Sequence, residues 1–286
     1  MNKQLKGSLS LLTATIIWGF AFIAQSVGMD LIGPFTFQMV RCLLAVALLV
    51  PLSFLLDLGK CSMRESFEKW KNPKLWKASI LCGLALFVAS SLQQNGLMYT
   101  DAGKAGFLTA MYIVLTPIVG LFRGNKVSKA TVFSVGIAVV GLYLLSCVGV
   151  TEINKGDLLI MGCALAFAVQ INVVDHFCEG LDGFRMNCIQ ALTVAVISAP
   201  CVFFTETVDM GNLMACWGPL CFAGCLSMGI AYSLQIMGQQ QLESTKASLI
   251  MSLESVFAVL GGWWLLGERM TPWETTGCIL VFAAVV

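Results

Sequence analysis

Apolar residues in this chain gather into long unbroken blocks and do not alternate with polar ones. Turn-rich or polar breaks separate ten blocks, at 8–28, 35–56, 77–98, 103–122, 130–148, 156–176, 186–204, 217–238, 246–266 and 272–286. A block of about 20 apolar residues matches a hydrocarbon core roughly 30 Å thick. Backbone groups in lipid must be satisfied within their own segment, so each block is predicted as a transmembrane helix. The ten-residue alternation of a membrane barrel is not seen. The last block, about 15 residues or roughly 22 Å of helix, is either a short crossing or a truncated one.

Composition strengthens this picture. Hydrophobic residues make up 58% of the chain and charged residues 12%, about half the charged share of a soluble domain. Mean hydropathy is +0.84. The expected class is an all-α, multi-pass membrane protein with almost no soluble part. The net charge of +1 says nothing about partners, and with no basic tail or stripe in the chain no nucleic-acid partner is expected. The 12 cysteines lie mostly inside the apolar blocks, without the spacing of a disulfide framework or a zinc site, so they read as small buried side chains. No cofactor is expected. The first block is too long for a signal peptide and reads as a retained helix.

Lys and Arg set the orientation. With the N-terminus in the cytoplasm, 13 basic residues fall inside and three, Lys104, Lys155 and Arg269, fall outside. The bias comes from the first half, and Lys60–Lys77 supplies much of it.

The chain also repeats itself. "SLQQNGLMYTDAGKA" (91–105) aligns with "SLQIMGQQQLESTKA" (233–247), with six of fifteen positions identical. "KGSLSLL" (6–12) aligns with "KGDLLIM" (155–161), and "GNKVS" (124–128) with "GERMT" (267–271), in the same order. Residues 1–150 and 151–286 therefore read as two five-helix units. Five is odd, so the second unit enters the membrane from the opposite face, and the two are predicted to be inverted copies. Such architectures belong to secondary transporters, whose site lies between the copies.

These residues resemble the EamA-type transporters of the drug/metabolite transporter superfamily. The resemblance rests on "IIWG" (16–19), "MVRCLLAVALL" (39–49), "GLMYTDAGKAGFLTAMYIVLTPIVGL" (96–121), "GDLLIMGCALAFAV" (156–169) and "GIAYSLQIMGQQQLESTKASLIMSLESVFAVLGGWWLLGERMT" (229–271). It covers the whole chain. It implies ten helices, both termini in the cytoplasm, and secondary transport of small metabolites, commonly export of amino acids or similar solutes. The chain departs from the family at "RGNK" (123–126), a degraded copy of "LGER" (266–269). It departs again at Ser255, where the family often has a helix-kinking Pro.

Glu254 is the leading candidate site residue. A charge at bilayer centre costs roughly 2.5–3.5 kcal/mol, so the acid must face the protein interior, stay protonated or meet a cation. Two readings stand level: an interhelical hydrogen bond, or a group that loads and releases a proton or binds a substrate amine. Its repeat partner is Tyr112, which shares a helix face with Thr109 and Thr116; the two threonines lean toward plain backbone bonding. Gln93 and Gln235 repeat, and Asn95 extends the first; neutral amides suit zwitterionic or hydroxylated solutes, though they also glue helices. Gln25 is a weaker candidate, with Gln170, Asn172 and Gln190. Arg41 either binds a substrate carboxylate or snorkels outward, the second slightly favoured. Trp18, Trp263 and Trp264 read as packing or cavity walls, and Lys104 and Lys246 as gate contacts.

The resulting expectation is an alternating-access transporter in the cytoplasmic membrane of a bacterium. It moves a small polar metabolite outward, with proton coupling one role open to Glu254. It acts as a monomer or homodimer among membrane lipid. The rivals are a passive channel or lipid-translocating protein, and, less favoured, a membrane-embedded enzyme. For the enzyme the chain offers no HExxH, paired intramembrane Asp or Gly-rich phosphate loop, and a single His.

Overall fold

The computed structural model describes residues 2–100, 102–122, 124, 127–146, 153–265 and 269–285. Asp101, Cys147, the unit boundary near 150, and most of "RGNK" and "LGER" lie outside them. The described residues are helical and carry no strand. Eight helices are long and apolar enough to cross a membrane: Lys3–Met29, Pro34–Leu55, Pro73–Leu97, Lys104–Phe122, Lys155–Phe177, Gly183–Thr205, Trp217–Gln239 and Ser244–Trp264. Two shorter apolar helices, Lys129–Leu145 and Pro272–Val285, occupy the positions of the fifth and tenth blocks.

We number the elements α1 (Lys3–Met29), α2 (Pro34–Leu55), α3 (Met63–Trp70), α4 (Pro73–Leu97), α5 (Ala102–Ala110), α6 (Tyr112–Phe122), α7 (Lys129–Ser146) and α8 (Lys155–Phe177). There follow α9 (Gly183–Thr205), α10 (Met210–Ala215), α11 (Trp217–Cys221), a π-helix (Phe222–Ala231), α12 (Tyr232–Gln239), α13 (Ser244–Met251), α14 (Glu254–Leu265) and α15 (Pro272–Val285). Boundaries follow local chemistry. Pro34 and Pro73 open α2 and α4, where a missing N–H costs nothing. Asn154 and Asp157 form a capping box on α8, and Asp182 caps α9.

One end of the bundle, the near end, carries the N-terminus: a Cβ on Gly7 would touch Gln241. Gln240 there donates to the carbonyls of Cys178 and Leu181, both at 2.7 Å. At the far end, Thr100 donates to Asn154 and Asp157 at 3.0 Å. Thus α1 starts at the near end and α8 at the far end. Helix α2 runs antiparallel to α9 and packs on it, and α7 packs on α15. Helix α4 packs on α8, as α11, the π-helix and α12 pack on α1. Small residues permit these approaches: a Cβ on Gly277 would lie 2.6 Å from the Gly141 carbonyl oxygen.

Two spans are interrupted midway. The α5–α6 span breaks at Met111, and the α13–α14 span at Ser252–Leu253. Lack of a proline at 255 argues for a straight ninth span, yet the break is there. Ser252 Oγ donates to the Leu249 carbonyl at 2.8 Å, and Leu253 N bonds back only three residues, to Ile250. Ser255 instead reaches across to the Gly106 carbonyl at 3.1 Å.

The π-helix has a local cause too. Asn187 of α9 donates to the Met228 and Gly229 carbonyls, both at 2.8 Å, and Ser233 also bonds Gly229. Side chains drawn into the ladder in this way widen a helix.

Candidate functional site

Both helix breaks point at one cavity. Tyr112, first residue of α6, donates its hydroxyl to Glu254 Oε1, first residue of α14, at 3.0 Å. Both are buried, at 4% and 6% exposure. The spacing that pairs Lys104 with Lys246 also pairs Tyr112 with Glu254, so repeat-equivalent residues touch each other here.

The cavity has a volume of about 40 Å³, room for roughly three waters at 10–15 Å³ each. Any larger occupant therefore requires the helices around it to part. Of the candidate residues, Trp18, Gln25, Arg41, Gln93, Thr109, Tyr112, Gln170, Gln235 and Glu254 line it. Asn95 does not; its amide turns back to the Ser91 carbonyl at 2.8 Å. It follows Gln93 by two residues, and a helix turn of about 100° per residue carries it to another face.

Arg41 does not snorkel. It is 3% exposed, with Nη1 donating to Gln25 Oε1 at 2.7 Å and its guanidinium 6.0 Å from the Phe37 ring centre. Gln94 donates to the same Gln25 oxygen. Gln93 reaches Thr109 Oγ1 at 3.4 Å, so Thr109 bonds a side chain rather than the backbone. Gln235 donates to Gln170 at 3.3 Å and to Gln239 at 3.0 Å. Asn172 holds the Thr116 carbonyl at 3.1 Å, and Gln190 bonds Asn187 at 3.2 Å; neither lines the cavity.

Several buried atoms of the lining make no hydrogen bond among the described residues: the donors Trp18 Nε1, Arg41 Nε and Gln170 Nε2, and the acceptor Gln235 Oε1. Such atoms are costly to bury and favour a ligand that satisfies them. Three donors around a fixed positive charge suit a carboxylate. The Glu254–Tyr112 pair and Gln235 Oε1 suit a donor such as an ammonium.

The rest of the lining is Ile171, Ser227, Met251 and three aromatics, Phe22, Phe167 and Tyr232, with Tyr232 edge-on to Trp18 at 4.9 Å. Sequence reasoning missed these three aromatics because an aromatic in an apolar block carries no mark of its facing. Trp263 and Trp264 are not cavity walls: they are 54% and 72% exposed on the outer surface, since they lie beyond the break, on the lipid-side face of α14.

Polar clasps join α2 and α9 at each end. At the near end, Asp57 accepts from Arg185 Nη2 at 2.6 Å, Lys69 Nζ at 2.7 Å and Ser66 Oγ at 2.7 Å. Arg185 is 1% exposed and also pairs with Asp182 at 2.6 Å. Lys69, Ser66 and Arg185 hold the Asp57 carboxyl well below the usual carboxylate range. At the far end, Glu206 accepts from Phe35 N and Thr36 N at 2.8 Å and from Thr36 Oγ1 at 2.6 Å. The spacing that pairs Lys6 with Lys155 pairs Asp57 with Glu206 and Thr36 with Arg185, so the clasps are repeat mates. Lys104, expected as a gate contact, bonds Asp157 at 2.5 Å at the far end.

The family model described as the EamA-like transporter family matches this chain twice, over residues 5–147 and 154–286. An uncharacterized transporter of Archaeoglobus fulgidus is 31% identical over 287 residues, covering 99% of this chain and 86% of that protein. The uncharacterized transporter YoaV of Bacillus subtilis is 25% identical, covering 97% and 94%. A crystal structure aligns at a TM-score of 0.78 and 16% identity, covering 98% of this chain and 94% of its own, a likeness of fold alone.

Proposed function

The chain belongs to the EamA-like transporter family, whose members are transporters rather than enzymes, and from that premise we propose that it carries a small zwitterionic metabolite, an amino acid or similar solute, by alternating access. The observation that carries this reading is the contact of Tyr112 with its repeat counterpart Glu254 inside a cavity lined from both halves. Units 1–150 and 151–286 act as inverted copies. Support comes from the antiparallel α2–α9 pair, the matched packing of α4 on α8 and α1 on α12, and the matched clasps.

The substrate binds mid-membrane, its carboxylate toward Arg41 and its amine toward Glu254. Closed clasps at both ends and a cavity of about 40 Å³ support reading this conformation as an occluded one. Opening either side breaks that side's clasp, and substrate shifts the balance by contacting the states unequally. The near end faces the cytoplasm of the cell membrane, by the bias of basic residues toward it, and net flux runs outward. Glu254 carries the coupling proton, with Tyr112 as its partner.

The test is flux in proteoliposomes with labelled neutral amino acids. Saturable uptake with counterflow is expected. Unsaturable conductance would instead identify a channel. Glu254→Gln is expected to abolish the pH dependence of uptake; unchanged pH dependence would remove the acid from coupling.

A further inference from the structure

The segment between α2 and α4 does more than bias topology. We propose that α3 and its flanking basic residues form a docking surface for anionic phospholipid headgroups. Helix α3 is strongly two-faced. Met63, Phe67 and Trp70 share one side by i, i+4, i+7 spacing. Met63 and Phe67 are 54% and 56% exposed, and Phe67 and Trp70 pack their rings on Phe54 at the end of α2. Arg64, Glu65, Glu68 and Lys71 take the other side. A short amphipathic helix tied at both ends to membrane-crossing helices lies at the lipid–water boundary, apolar side down.

Charge names the occupant. Residues 60–77 hold six basic side chains and two acids. Both acids are already engaged: Glu65 accepts from Ser62 N at 2.7 Å, and Glu68 pairs with Lys71 at 2.8 Å. Lys69 is held by Asp57. Lys60, Arg64, Lys74 and Lys77 are exposed and have no acidic partner among the described residues. Four unpaired cations beside a helix seated in the boundary suit the phosphates of an anionic leaflet. Ser66 and Lys69, on the flank of α3 beside Trp70, join the near clasp, so lipid seated on α3 also steadies Arg185 at the start of α9.

The test uses the purified full chain in an uncharged detergent and reads Tm against added dioctanoyl phosphatidylglycerol, dioctanoyl phosphatidylcholine, inorganic phosphate or polyglutamate. Phosphatidylglycerol is expected to raise Tm saturably, and phosphatidylcholine and phosphate not. The variant Lys60→Gln/Arg64→Gln/Lys74→Gln/Lys77→Gln, which leaves the clasp intact, is expected to keep the Tm seen in phosphatidylcholine. It should need about tenfold or more phosphatidylglycerol for the same rise. Equal shifts from both lipids, or an unchanged dose curve in the variant, overturn the proposal. A shift from phosphate or polyglutamate but not phosphatidylglycerol overturns it in favour of a free anion or an acidic protein. None of these readouts depends on transport.

Discussion

Replacing Asp57 with Asn should loosen the near end of the molecule and leave the far end closed. The substitution keeps the shape of the side chain and removes its charge. Three donors then lose a charged acceptor: Arg185 at 2.6 Å, Lys69 at 2.7 Å and Ser66 at 2.7 Å. A hydrogen bond to a charged group contributes about 1.5–3 kcal/mol. Lys69 is 42% exposed, so solvent screens it and its share is small. Arg185 keeps Asp182, which limits the loss further. The net effect is about 2–3 kcal/mol, or roughly 30- to 150-fold in an opening equilibrium. Hydrogen–deuterium exchange followed by mass spectrometry reads this directly. Amides in the first turns of α9, and in α3, should exchange faster by about that factor. Amides at the start of α2, bonded to Glu206, should hold their rates. Equal acceleration at both ends would mean general destabilisation, and no acceleration would mean that the clasp does not govern opening; either result refutes the reasoning.

Other outcomes follow from the same geometry. Gly19→Ala places a Cβ 2.4 Å from Phe257 Cβ and 2.7 Å from that residue's backbone. Overpacking of this kind costs about 1–3 kcal/mol, so Tm should fall by on the order of 5 °C. Acid should weaken the near clasp. The folded Asp57 carboxyl lies below its ordinary value, so its contribution is complete above about pH 5 and is lost progressively as pH drops further. Asp57→Asn should therefore flatten the fall of Tm between about pH 5 and pH 3, and an unchanged slope would remove Asp57 as its cause. Arg41→Lys loses the unpaired Nε donor and the planar fork. It should raise KM for a carboxylate-bearing solute by about tenfold while leaving Tm within a few degrees; equal KM values would place the carboxylate elsewhere.

Much of the site was legible because polar residues stand out in apolar blocks. Glu254, Arg41 and the repeating glutamines each needed a reason to be in lipid, and one shared polar cavity accounts for them all. Asn95 misled because it carries the same mark while facing its own backbone. The aromatic walls were illegible, since Phe167 and Tyr232 look like any lipid-facing ring until neighbours are known. The near clasp was hidden for a different reason. Asp57 and Arg185 are ordinary residues at block ends, and only extending the Lys6–Lys155 spacing would have paired Asp57 with Glu206. The π-helix was beyond reach: it depends on Asn187, a residue of another helix, entering the backbone ladder.

The Tyr112–Glu254 contact also bears on how such a protein arises. On the proposed inverted arrangement, a residue that meets its own counterpart sits on the axis relating the copies. In an assembly of two separate, identical chains that spot must hold the same side chain twice: a pair of acids sharing one proton, or a pair of phenols. A phenol facing a carboxylate is open only to a polypeptide that encodes both copies and lets them diverge. In that arrangement, joining the copies end to end is what lets such a position become chemically lopsided.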